Sequence, residues 1–308
     1  MEEKYYNHEQ KQRWIESINL DQYPAGYWER VFLAYKPFEE ELKKDVCNFN
    51  KVEIKNMYLD LNYMSFETLM VANYSLSKYT MWALQNALVD DGINHYADFD
   101  AEELVDCTNM RQIKNAIVTL DDIIIGLNKL DNYQDQFILL ALFEGIRGKQ
   151  CEDLCELRLS DISNGKAHLK SGKTISISSK LYNLAVYTNN TYQYTFTDGR
   201  VYDMVGDRIL KITIKNSKIE LGIKTPRSIY TSVIRTIDTL GWSDRVTMNS
   251  IYNSGIIHMI NKLAEQNHCS GEQVLYRKEL LQQVQEQYDF NELVRKRFCL
   301  KYKDLLKQ

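Results

Sequence analysis

Apolar residues recur at helical spacing through most of the chain. Trp28, Val31, Phe32, Tyr35 and Phe38 predict one buried helical face near the N-terminus. Residues 10 to about 112 read as helical throughout, with segments expected near 38–47, 51–61, 65–73, 76–89 and 99–105. Pro37 should bend or start a segment. Ser65 and Ser75 precede apolar runs and read as N-caps, and Asp91 with Gly92 reads as a stop after the helix at 76–89. A boundary falls near 109–119. The run LDDIIIGLNKL at 120–130 starts a new amphipathic helix, Asp131 and Asn132 interrupt it, and a helix at 135–145 follows. Alternating residues at 166–169 and 174–178 around Ser171 and Gly172 predict a hairpin. Asp198 and Gly199 give a second hairpin signal within 191–205, and 207–215 suits helix and strand equally. Beyond Pro226 the pattern is helical again, over 227–240, 247–266, 271–287 and 289–306. Helices flanking one small antiparallel sheet give a mostly α protein of the α+β class, in two domains at 1–112 and 119–308.

Composition narrows the class. A chain of 308 residues can bury two cores, and 44% hydrophobic with 26% charged residues is ordinary for a globular protein. Three prolines and 13 glycines suit a helical chain better than an all-β one. No apolar run approaches the length of a membrane span, and the start, MEEKYYNHEQKQRW, lacks the apolar stretch of a signal peptide. A cytoplasmic place is therefore expected, with no membrane partner. The net charge of -4 does not favour nucleic acid, but one face can still carry a positive field. The acidic residues gather in the first half, at 39–41, 90–91 and 98–106, and the tail carries Arg295, Lys296, Arg297, Lys301 and Lys303. Six cysteines are scattered. Cys151 and Cys155, four apart on one face of a predicted helix, have no second ligand pair, so thiols are expected rather than zinc. His258 and His268 stand alone, and no cofactor or metal is expected.

Two stretches carry the candidate chemistry. Residues 137–162 read FILLALFEGIRGKQCEDLCELRLSDI, an apolar helix running into Gly145, Ile146 and Arg147. Residues 246–254 read VTMNSIYNS, with Asn249 and Tyr252 three apart on one helical face and Thr247 placed to cap the helix. The first resembles the leading conserved box of the tyrosine recombinases, the phage integrases, where an arginine after a glycine grips the scissile phosphate. The second resembles the box in which a histidine is followed three residues later by a second arginine. On this resemblance Arg147 is the first arginine, although its distance to Leu157 is about three residues too long and the other alignment puts Gln150 there. Asn249 and Tyr252 occupy the histidine and second-arginine places, and neither carries charge at neutral pH. Arginine suits phosphate through its planar fork, and preorganised positive charge supplies much of the catalysis at such a centre.

The resemblance runs from about residue 25 to the end. It implies an N-terminal helical core-binding (SAM-like) domain and a C-terminal recombinase-like domain. In the first, Asn73, Ser75, Ser77 and Lys78, read as lying at a helix start, are the candidates for touching DNA. In the second, Lys170 and Lys173 flank the hairpin turn where the family keeps a lysine, and Arg227, Tyr230 and Arg235 start a helix that faces the major groove. Tyr302, with Tyr288 second, is the candidate for the nucleophile's place. The tail around Tyr302 reads equally as an amphipathic helix carrying Phe298 and Leu305, and it lacks the family's leucine, glycine, histidine motif. In detail the chain is similar to the recombinase-like lysogeny repressors of SPbeta-type Bacillus phages. That implies a sequence-specific transcriptional repressor without recombinase activity, bound to double-stranded DNA at operator-like sites, with room for a protein or peptide antagonist. The oligomeric state stays open. An active recombinase with a diverged site and an interaction protein that has lost DNA binding are the two other readings of the same residues.

Overall fold

The computed structural model describes residues 4–24, 26–61, 66–108, 110–214 and 223–306. The chain divides between Arg111 and Gln112 into two compact units. It is mostly helical, with two small antiparallel sheets in the second unit.

The first unit is built from α1 (His8–Ser17), α2 (Tyr27–Leu42), α3 (Lys51–Asp60), α4 (Phe66–Gln85) and α5 (Ala101–Asp106). Pro37 does not end α2. It sits inside the helix, held there by the buried Tyr35 and Glu39 on either side. Aromatic rings fill the core: Trp14 meets Trp28 edge-on at 5.2 Å, and Phe32 meets Tyr79 at 5.0 Å. Within the same core the Lys11 ammonium lies 2.5 and 2.6 Å from the two Glu39 oxygens and 3.4 Å from Asp45. Asn50 with Glu53 caps α3 reciprocally, and Asp100 with Glu103 caps α5.

α4 corrects two expectations. It is one helix of 20 residues through Ser75, not two, and it ends at Gln85, before the turn at Asp91 and Gly92. Ser75 is not an N-cap; its hydroxyl donates to the Val71 carbonyl one turn back and meets the Tyr27 hydroxyl at 2.7 Å. The other expected cap, Ser65, lies outside the described residues.

α6 (Met110–Asn115) spans the division, and the second unit continues with α7 (Leu120–Lys129), α8 (Tyr133–Phe143) and the short α9 (Glu152–Glu156). Strands β1 (Ile162–Ser163), β2 (Lys166–His168) and β3 (Thr174–Ser176) pair in that order, with Ala167 opposite Ile175. Helix α10 (Ser179–Asn190) fills a stretch for which the sequence predicts no element; Ser178 caps it, and Leu181, Leu184, Ala185 and Thr188 form its buried stripe. Strands β4 (Gln193–Thr195), β5 (Val201–Val205) and β6 (Ile212–Thr213) make a second sheet where one was expected in all.

Five α-helices complete the described part of the unit. Thr225, Pro226 and Gly241 bound α11 (Pro226–Leu240) as cap, first residue and left-handed stop. After α12 (Met248–Gln266), the expected helix at 271–287 is broken at Arg277 into α13 (Gly271–Tyr276) and α14 (Lys278–Gln287), and the last helix is α15 (Glu292–Tyr302). From Gln134 to Phe143 every residue of α8 but Gln136 is buried, which makes it the hub of the unit. α12 crosses it so closely that a Cβ on Gly255 would overlap the Phe143 carbonyl.

Candidate nucleic-acid interface

Arg147 is positioned by the way α8 ends. The chain turns at Gly145 with φ +100°, where a Cβ would press on the Gln287 carbonyl at 2.6 Å. Ile146 is buried and anchors the turn, so the next side chain must emerge. Gln287 fastens the same corner. Its amide donates to the Glu144 carbonyl at 2.6 Å and the Ser176 carbonyl at 2.8 Å, and accepts the Ser176 N–H at 3.2 Å. Nothing local in the sequence marks Gln287 for this task.

The first turn of α12 meets Arg147. Thr247 and Ser250 cap the helix reciprocally, and this aims Asn249 and Tyr252 at the same point. Arg147 Nη1 donates to Asn249 Oδ1 at 3.1 Å, and the guanidinium lies 3.8 Å from the centre of the Tyr252 ring. The Tyr252 side chain is 1% exposed, and its hydroxyl accepts the Asp289 N–H at 2.8 Å. Burial pushes that phenol up to about 12. Tyr288 packs edge-on against Tyr252 at 5.3 Å and donates its own hydroxyl to the Phe143 carbonyl at 2.8 Å. The two motif stretches therefore come together, and Arg147 rather than Gln150 is the residue that joins them. Gln150 is exposed, with a left-handed backbone at φ 53°. Cys151 is also left-handed, at φ 64°, so it precedes α9 and does not share a helical face with Cys155; both are buried free thiols.

The hairpin adds a third side. Buried Asp153 accepts the Ser171 N–H at 2.8 Å and its hydroxyl at 2.9 Å, which fixes the turn between β2 and β3. Lys173 then reaches the carboxylate of Asp289 at 3.2 Å, the same residue whose N–H donates to the Tyr252 hydroxyl. Lys170 turns to Glu156 instead, at 3.3 Å, and is exposed. Arg147 and Lys173 are thus the cations of this group, with Asp289 as a counter-charge and a neutral phenol at its base.

Other candidate residues are placed differently. Asn73 is 8% exposed and core-bound: it accepts from the Tyr58 hydroxyl at 2.9 Å and donates to the Tyr96 carbonyl at 3.0 Å. Ser75 is buried with it. Neither can touch a ligand without unmaking the core, and neither lies at a helix start. Ser77 is half-buried and accepts from Asn94, while Lys78 lies 4.5 Å from the Tyr74 ring centre. Arg227 and Tyr230 are exposed on the first turns of α11. Arg235, two turns on, faces inward, 3.4 Å from Asp135 and 5.0 Å from the Tyr194 ring centre. Tyr302 is buried, accepts from Asn253 at 3.0 Å and packs on Phe298 at 4.6 Å. Among the described residues no group of His, Cys, Asp and Glu could hold a metal ion.

Known proteins resemble both units. The family description "MrpR, N-terminal core-binding domain" matches residues 5–85, and "MrpR, C-terminal catalytic domain" matches 117–307. An uncharacterized SPbeta prophage-derived protein, YopR of Bacillus subtilis (strain 168), is 22% identical over 293 residues, covering 88% of this chain and 86% of its own. Among solved structures, lambda integrase residues 75–356 bound to DNA is 14% identical over 93% of this chain and 99% of that one, with a TM-score of 0.46. XerA recombinase is 11% identical over 97% and 99%, with a TM-score of 0.38. On these two matches, the second of which alone covers more than half of the sequence, the chain belongs to the MrpR family.

Proposed function

We propose that this protein is a sequence-specific DNA-binding repressor that maintains phage lysogeny, built on a tyrosine-recombinase frame that no longer cuts DNA. The observation that carries the reading is the contact of Arg147 with Asn249 and Tyr252. Strand cleavage needs concentrated positive charge on the phosphate as it gains a fifth oxygen. On the resemblance, the place of the second arginine falls to Tyr252, whose phenol is buried and neutral, and Lys173 is partnered by Asp289. Removing one such donor costs about two to three powers of ten in rate. The hydroxyl of Tyr302 accepts a hydrogen bond inside a packed helix face, which is no place for a nucleophile.

Binding survives this loss. Arg147 gives one hydrogen bond to Asn249, and the remaining N–H groups of its fork can take a phosphate. Arg227 and Tyr230 stand exposed on α11 and suit a groove of double-stranded DNA. Lys173, Lys170 and Asn249 would add contacts to the backbone around Arg147, and Ser77 and Lys78 in the first unit would do the same. The prophage origin of a relative supports a role in controlling a resident phage, in the cytoplasm of its host. No helix among the described residues is long and apolar enough to cross a membrane.

The test is genome-wide mapping of bound sites in the host, followed by mobility shifts on the recovered fragments. The reading predicts discrete sites beside lytic genes. It also predicts an affinity that falls by about three powers of ten or more between roughly 50 and 200 mM salt, as counterions compete for the phosphates. Negligible binding at low salt would favour an interaction protein that has lost DNA.

A further inference from the structure

A cleft of about 390 Å³ opens in the second unit among α8, β4, β6 and α11. Its lining has more positive charge than carboxylate to balance it. Lys224 is 7% exposed and lines the cleft, yet its ammonium makes no ion pair or hydrogen bond with a described residue. Desolvation by burial lowers it to about 8. Arg235 also faces the cleft. The nearby carboxylate, Asp135, is shared between Arg235 and the Tyr194 hydroxyl. Lys211 adds a second buried cation behind the wall, its ammonium spent on the Thr188 and Asn189 carbonyls.

Gln134 is the second, independent sign of a ligand. It is 2% exposed, and its Oε1 accepts the Lys211 N–H at 2.7 Å. That bond fixes the orientation of the amide, because only the oxygen can accept. The amide nitrogen is left buried with no partner. An ammonium and an amide N–H₂ that both lack acceptors among the described residues, beside a guanidinium, ask for the same thing: an oxyanion.

We propose that this cleft binds a small organic anion, with its oxygens on Lys224, the Gln134 amide and Arg235. The volume admits a body of several heavy atoms behind the charged head, beside the Tyr194 ring. The proposal does not depend on DNA binding.

The test uses the full chain with benzoate and phenyl phosphate as probes, against chloride at matched ionic strength. Either probe should raise the melting temperature of the wild type and leave Lys224→Met unshifted; the stronger of the two tells a carboxylate from a phosphate ester. Acetic anhydride labelling at pH 8, read by mass spectrometry, gives a second measure that needs no variant. The same probe should protect Lys224 and leave the exposed Lys180 unprotected. Equal shifts in both proteins, no shift in the wild type, or protection of Lys224 by duplex DNA alone would overturn the small-anion site.

Discussion

At the scale of single residues, Tyr252 does two things in place of carrying a charge. Its ring supports the Arg147 guanidinium, and its hydroxyl holds the Asp289 backbone. The two tasks can be separated. Tyr252→Phe keeps the ring and loses the acceptor, so it should cost about 1 kcal/mol in denaturant unfolding and leave DNA affinity nearly unchanged. A loss of affinity as large as that of Arg147→Ala would mean the hydroxyl itself touches DNA. Arg147→Ala should weaken binding to all sequences alike and reduce the salt slope by about one phosphate contact, measured by mobility shift. Unchanged affinity would remove Arg147 from the interface. The meeting of Arg147 with Asn249 and Tyr252 was implied by the resemblance to the two recombinase boxes; spacing alone puts only Asn249 and Tyr252 on one face. Asn73 was misread because its partners, Tyr58 and Tyr96, lie 15 and 23 residues away, and local polarity does not reveal a buried network. Likewise, no local signal could separate Lys173 from Lys170, since the partner of Lys173 is 116 residues distant.

At the scale of elements, packing decided what propensity left open. The expected break in α4 vanished because Asn73 and Ser75 are satisfied inside the core, and α10 escaped notice although its buried stripe has helical spacing. The contact of α8 with α12 can be tested directly. Gly255→Ala forces a methyl into the Phe143 carbonyl, and it should destabilise the second unit by about 3 kcal/mol or more, read from its unfolding transition. A wild-type transition would show that the helices can separate there. In the first unit, α1 and α2 are joined by the buried Lys11 and Glu39. Burial, together with the Asp45 carboxylate, pushes Glu39 up to about 7 against the pull of Lys11. A raised carboxyl favours the folded state below about pH 4.5, and this contribution is lost as pH rises through about 7. The melting temperature of the first unit should therefore fall across that window, and Glu39→Gln should flatten the fall. An unchanged slope would place the titration elsewhere. On α11, Arg227→Ala should relax sequence preference if the side chain reads a base, at about 1–3 kcal/mol per bidentate contact. An unaltered preference profile would limit Arg227 to the backbone.

At the scale of the whole molecule, the net charge of -4 gives no hint of a nucleic-acid partner; a few cations on particular faces must supply the attraction. The helical class could be read from periodicity and the scarcity of proline and glycine. The hairpin of β4 and β5 could also be read, from Asp198 and Gly199, but its separation into a second sheet with the two-residue β6 could not. The central claim is a grip on the double helix without strand cleavage, and a nicked suicide duplex carrying a mapped binding site tests it most directly. One incubation gives both readouts, a retarded complex on a native gel and a covalent adduct on a denaturing one. The account predicts the salt-sensitive complex and no adduct. A covalent protein–DNA band that disappears in Tyr302→Phe would contradict it.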